Sequence, residues 1–200
     1  MKKYEFTGEV KIVFGITLHR IKAVISFGPI IQGELGGWIE KEENLSQNCN
    51  AWVYDNAKVY GNAEVYDNAW VHGDAKVYGN AKVCGNACVC GDAKVYGDAK
   101  VCGNAEVCGN AWVYDNAKVH GDAEVCGDAK VCGDADYIVF KNWWSSGRYF
   151  TWTRSNNKWR VGCFFGTGAE LVAKAYKDSE HSGREYERVV NFVQSILKEE

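Results

Sequence analysis

Along residues 49–138, hydrophobic and polar positions recur with a period of six, fifteen times without a gap. Each unit reads Gly/Asp, Asn/Asp, Ala, variable, Val, then Tyr, Cys or His, with Cys49 standing first in the series. Alanine holds the third place from Ala51 and Ala57 to Ala135. Valine holds the fifth from Val53 and Val59 to Val131, until Tyr137 takes that place in the last unit. Fixed-period self-similarity of this kind marks a solenoid. Ala-x-Val is an alternating triplet, so Ala and Val face one side of a short strand and the variable residue faces the other. The Gly/Asp–Asn/Asp pair supplies a corner, because these residues adopt positive φ most cheaply. The pattern therefore predicts a flat-sided coil of parallel strands around stacked columns of Val and Ala.

Other repeats are excluded by period and composition. Calcium-binding β-rolls need a nine-residue unit, and ice-binding helices need threonine ladders, whereas residues 49–138 contain neither Thr nor Ser. Units such as Gly61-Asn62-Ala63-Glu64-Val65-Tyr66 resemble the bacterial hexapeptide-repeat family. That resemblance implies a left-handed parallel β-helix with three hexads per coil, hence about five coils and a length of about 24 Å. It also implies side-by-side assembly as a homotrimer. The lead-in segment Gly36-Gly37-Trp38-Ile39-Glu40-Lys41-Glu42, followed by Asn44-Leu45-Ser46, resembles a motif of uncharacterised YdcK-like repeat proteins and of related proteins from gut bacteria and their phages. This second resemblance implies a bacterial or phage origin and brings no established chemistry.

Three hexads per coil would stack residues eighteen apart. One face then carries Tyr60, Tyr78, Tyr96 and Tyr114, ending at Cys132, beside Lys58, Lys76, Lys94, Trp112 and Lys130. A second carries Trp52, Trp70, Cys88, Glu106 and Glu124 beside Tyr54, His72, Cys90, Cys108 and Cys126. The third carries Glu64, Lys82, Lys100, Lys118 and Asp136 beside Tyr66, Cys84, Cys102, His120 and Ile138. Stacked tyrosines either form an oligomer interface or shield the corners, since both uses bury aromatic area at low entropic cost. Seven of the nine cysteines occupy places where Tyr, His, Lys or Glu stand elsewhere, which reads as packing thiols. Stacked pairs such as Cys84/Cys102 and Cys90/Cys108 would have Cα atoms about 4.8 Å apart, within disulfide range. Met1-Lys2-Lys3 leads into no apolar targeting segment, so the expectation is a cytoplasmic chain with reduced thiols.

The hexapeptide-repeat resemblance brings two activities to test, CoA-dependent acyl transfer and zinc-assisted hydration. The transferases have a loop that interrupts the helix and accompanies a catalytic histidine; here the register never breaks. His72 and His120 fall on different faces, eight hexads apart, and His19 and His181 have no close partner in sequence. A general base must reach its substrate proton, and a catalytic zinc needs three protein ligands with an open position. The reading is therefore no enzyme, no cofactor and no metal. A CoA-dependent acyltransferase and a polymer-forming structural protein stand as alternatives.

The flanks carry different patterns. Tyr4–Phe14 and Ile16–Phe27 alternate as a β-hairpin turning near Gly15, a cap for the open coil within the segment 1–48. Residues 139–200 read as a small α+β domain, with Tyr137–Lys141 continuing the last coil. Arg148–Arg154 and Lys158–Phe165 form a hairpin turning at Asn156-Asn157, with Phe150, Trp152, Trp159, Val161, Cys163 and Phe165 on one face. Thr167-Gly168-Ala169-Glu170 is a capping box opening a helix with Leu171, Val172, Ala175 and Tyr176 inward. Ser182-Gly183-Arg184-Glu185 opens a second helix, striped by Tyr186, Val189, Val190, Val193, Ile196 and Leu197.

Charge then separates the parts. The net charge of −3 divides into a repeat with seven lysines against thirteen acids and flanks with sixteen Lys/Arg against thirteen. From Lys141 to Arg160 there are five basic residues (Lys141, Arg148, Arg154, Lys158, Arg160) and no acid, interleaved with Trp143, Trp144, Tyr149, Trp152 and Trp159. Cations among aromatics suit a protein or phosphate-bearing partner. Trp143, Trp144, Arg148, Arg154, Lys158 and Arg160 are the candidate binding residues. The expected function is a non-catalytic scaffold presenting this C-terminal surface, in a phage setting to sequester a host factor.

Overall fold

The computed structural model describes residues 2–198, divided into two compact units that meet in sequence at Asp136/Tyr137. The first opens with the hairpin β1 (Tyr4–Val13) and β2 (Ile16–Ala23), turning at Phe14 and Gly15, both at positive φ. Strand β3 (Leu35–Ile39) follows, antiparallel to β2. Fourteen two-residue rungs come next at six-residue intervals, β4 (Trp52–Val53) to β17 (Lys130–Val131), in three parallel sheets. Each rung pairs with the rung eighteen residues on, as in Trp52↔Trp70, Lys94↔Trp112 and Lys100↔Lys118. Three hexads thus complete one coil. The rung valines and the alanines of residues 51–129 are buried throughout, as the Ala-x-Val alternation requires.

The coil begins before the hexapeptide pattern does. Trp38 and Ile39 pair in parallel with Lys58 and Val59, and Leu45 bridges Val65. Gly36 and Gly37 permit this approach: a Cβ on either would stand 2.6–2.8 Å from Ile21, Trp52, Val53 or backbone carbonyls of the first coil. The hairpin extends one face edgewise through β3. The same segment also closes the first coil, because buried Trp52 meets the edges of Tyr4 and Phe27 at 6.2 and 5.4 Å.

Corners divide their labour. In every corner before Gly133 only the first residue of the pair takes positive φ, whether glycine (Gly91, φ 69) or aspartate (Asp55, Asp67 and Asp115, φ 50–57). The second residue builds ladders. Each carboxamide Nδ2 donates to the Oδ1 one coil on, Asn50 to Asn68, to Asn86, to Asn104 and finally to Asp122, at 3.0–3.2 Å. A second ladder runs from Asn62 through Asn80 to Asp98. A carboxylate accepts and cannot donate, so both ladders end where Asp replaces Asn.

The fifteenth hexad does not make a rung. Asp134–Asp136 turn as a 3-10 helix, with Asp136 Oδ2 accepting from the amides of Cys132 and Gly133 at 2.7 and 2.9 Å. Tyr137, standing where every other unit has Val, is too large for the interior column. The expectation that Tyr137–Lys141 extends the last coil is therefore corrected. That segment is β18, an edge strand of the second unit, antiparallel to β19 (Tyr149–Thr153).

The second unit is a four-stranded antiparallel sheet, completed by β20 (Lys158–Val161) and β21 (Phe164–Gly166), with two helices, α1 (Gly168–Asp178) and α2 (Glu180–Lys198). Its core is Phe150, Trp152, Trp159, Val161, Leu171, Val190 and Val193. The expected face is corrected at its end: a two-residue turn at Gly162 (φ 56) and Cys163 pairs Val161 with Phe164. Phe164 thus packs on the core, while Cys163 and Phe165 are exposed. The Thr167–Glu170 capping box forms at the start of α1. Helix α2 starts earlier than Ser182-Gly183 suggests, because Ser179 Oγ accepts from the Ser182 amide at 3.0 Å. Gly183 lies inside the helix, where a Cβ would stand 2.2 Å from the Tyr176 ring. Tyr176, expected inward, reaches the surface and donates to Glu187 Oε2 at 2.8 Å. Among the described residues no helix is long and apolar enough to cross a membrane.

Candidate functional site

The loop between β18 and β19 is organised by one buried side chain. Asn142 donates from Nδ2 to Ser145 Oγ at 2.8 Å and accepts at Oδ1 from the amides of Trp144 and Ser145 at 3.1 and 3.0 Å. Its own amide donates to Arg148 O at 2.7 Å, closing the loop. The two adjacent tryptophans consequently diverge. Trp144 turns inward, its ring 5.9 Å from both Phe150 and Tyr186. Trp143 stands 83 % exposed. Nothing in the expectations above singles out Asn142; an Asn three residues before a Ser-Ser-Gly turn is the signal that could have.

Strand alternation separates the basic residues. Lys141, Tyr149, Lys158 and Arg160 alternate with core residues and lie on the sheet face opposite the helices; Lys141 Nζ sits 5.5 Å over the Tyr149 ring. Arg154 is exposed in the β19–β20 loop. Arg148 instead borders a small cavity with Val161, Phe164, Leu171, Lys174 and Tyr186. The volume of this cavity, about 60 Å³, suits a water or two; small-molecule pockets are typically roughly 300 Å³ or more. The candidate residues thus form two groups, Trp143 and Arg148 at the ends of one ordered loop and Lys158 and Arg160 on the outer sheet face.

On the solenoid, Tyr60, Tyr78, Tyr96 and Tyr114 stack with centroids 5.0–5.3 Å apart and rings within 10° of parallel. Burial raises their phenol pKa values, that of Tyr60 to about 12. The neighbouring lysines are partly absorbed by Trp112, whose ring lies 4.3 Å from Lys94 Nζ and 5.1 Å from Lys130 Nζ.

The cysteine columns are more differentiated than packing thiols require. Cys108 and Cys126 are joined by a disulfide, with Cα atoms 4.7 Å apart. This departs from the expectation of reduced thiols, and the stacked rung geometry accounts for it. Cys84 and Cys102 meet at 2.7 Å between sulfurs. His72, Cys88 and Cys90 bring three ligand atoms within 4.8 Å of one another. A search for closely spaced histidines does not find this trio, because it is assembled across two coils. The hydrogen bond between Cys88 and Cys90 raises the Cys88 pKa and lowers that of Cys90.

Comparison with known proteins agrees with the architecture. Residues 57–73 match a family model described as the YdcK beta solenoid repeat. Over 40 residues the chain is 42 % identical to a protein of Escherichia coli (strain K12) named "Uncharacterized acetyltransferase YdcK". The match spans 20 % of this chain and 12 % of that protein's length. The family-model match lies within the solenoid, whose repeat is of the hexapeptide type.

Proposed function

We propose that this protein is a non-catalytic β-solenoid scaffold that holds an anionic protein or phosphate-bearing partner against its C-terminal unit. The observation that carries the reading is Trp143, exposed to 83 % on a loop held by a buried asparagine, with Arg148 at the other end of that loop. An ordered aromatic beside a cation binds with little loss of side-chain freedom, through stacking and charge together. Lys158 and Arg160 extend the positive surface on the outer face of the same sheet. The reading includes association as a homotrimer, with the tyrosine ladder as the contact; a monomer mass by light scattering at micromolar concentration would remove that element.

The test is capture of a partner from bacterial lysate by the wild-type chain, compared with Trp143→Ala and Arg148→Glu. Both substitutions should abolish capture without unfolding the chain, and binding should weaken steeply with salt. Equal capture by wild type and both variants would overturn the reading.

The name of the Escherichia coli relative, an acetyltransferase, favours acyl transfer as a second reading. For this chain it would have to operate on a solenoid whose rungs run without interruption from Trp52 to Val131. Under that reading acetyl-CoA should raise the melting temperature, and His72→Ala or His120→Ala should remove turnover. No shift with acetyl-CoA at millimolar concentration dismisses it.

A further inference from the structure

Positions four and six of each hexad flank the inward valine, so both project outward from one rung. Cys88 and Cys90 occupy these positions around Val89. The eighteen-residue register places His72 one coil below Cys90 and Glu106 one coil above Cys88. Two diagonal contacts link neighbouring coils: His72 Nε2 lies 3.3 Å from Cys88 Sγ, and Cys90 Sγ lies 4.0 Å from Glu106 Oε1. All four residues are half-buried, open enough for an ion to enter.

We propose that His72, Cys88 and Cys90 bind one tetrahedral divalent ion of the zinc class, its fourth position open on the side of the Glu106 carboxylate. Bonds of about 2.3 Å to sulfur and 2.0 Å to nitrogen place ligand atoms about 3.5 Å apart around a tetrahedral centre. The His72–Cys88 distance of 3.3 Å is close to that value, and all three nitrogen and sulfur atoms lie within 4.8 Å of one another. Two thiolates and an imidazole form the borderline-soft set that suits zinc better than calcium or magnesium. The two cysteines higher in the column, Cys108 and Cys126, are joined to each other, so they do not compete as ligands.

The third face provides an internal contrast. Cys84, Cys102 and His120 stand in one column there, the same residue types, but Lys82, Lys100 and Lys118 occupy the flanking places. Those ammonium groups oppose a cation, whereas Glu106 favours one.

The test uses the full chain, reduced and stripped of metal, titrated with Co(II) and then Zn(II). One equivalent of Co(II) should give the intense d–d and thiolate charge-transfer bands of a tetrahedral site, bleached by Zn(II). Cys88→Ser/Cys90→Ser should abolish those bands, and His72→Ala or Glu106→Gln should weaken affinity by roughly 10–100-fold or more. Cys84→Ser/Cys102→Ser should leave the site unchanged. So should Cys108→Ser/Cys126→Ser, which removes the thiols that reduction frees. Zn(II) should raise the melting temperature of the wild type and not that of Cys88→Ser/Cys90→Ser, a readout that also verifies folding. The proposal is overturned if wild type and Cys88→Ser/Cys90→Ser give the same spectrum, if neither shows thiolate bands, or if the bands follow Cys108/Cys126 or Cys84/Cys102 instead.

Discussion

In the solenoid a side chain finds its neighbours by counting eighteen residues along the chain, whereas in the C-terminal unit it finds them only through the meeting of a sheet with two helices. The first rule leaves outward places free to differ between coils, so tyrosines, cysteines and amides collect into columns without disturbing the Val/Ala interior. The second rule consumes most of its aromatics: of the five aromatic residues interleaved with the basic stretch, Trp144, Trp152 and Trp159 are engaged in the core. Surface chemistry in the solenoid is therefore set by register, and in the C-terminal unit by what the core leaves over.

The largest expected effect tests whether the two regions are independent. Trp159→Ala should cost about 3–5 kcal/mol, comparable to the whole stability of a small unit. Hydrogen exchange should then rise through residues 137–198 while the rung amides stay protected. Equal loss in both regions would show one cooperative transition.

Next, Gly91→Ala should cost about 1–3 kcal/mol and outweigh Gly121→Ala. Both residues have φ near +69°, but a Cβ on Gly91 meets Gly109 backbone at 3.0 Å and one on Gly121 meets nothing within 4 Å. Equal melting temperatures for the two variants would mean that corner strain, not stacking, sets the choice of glycine.

A smaller effect probes the ladder's direction. Asn86→Asp removes the donor to Asn104 and should cost about 1 kcal/mol, whereas Asp122→Asn keeps the acceptor and should be nearly neutral in chemical denaturation.

The smallest effect is confined to alkaline solution. The ladder tyrosines have folded pKa values raised above the ordinary 10. Their contribution is thus complete below pH 10 and is lost as pH rises through the folded values, near 12 for Tyr60. Tyrosinate absorbance should develop late in the native protein, and Tyr78→Phe should flatten the fall of stability above pH 10.

Legibility in the sequence follows the same division. The buried Ala and Val and the Thr167–Glu170 cap depend on spacing within one strand or one turn and were readable there, whereas the coil size and the tyrosine stack were reached through the hexapeptide-repeat resemblance. The Gly162-Cys163 turn was not, because alternation reads smoothly across it. The earlier start of α2 depends on Ser179, hidden by the stronger-looking Ser182-Gly183. The double tryptophan was visible in the sequence, yet only Asn142 decides which ring faces out.

By itself the sequence determined the solenoid, since a strict six-residue period leaves each apolar residue only one repeating interior to enter. The columns followed once the resemblance to hexapeptide repeats supplied three hexads per coil. Tertiary structure alone decided the ends of the coil, the outward turn of Trp143, the Cys108–Cys126 link and the diagonal meeting of His72 with Cys88. Those depend on distances across neighbouring columns and on competition for a core, and neither is written in the spacing of residues along one chain.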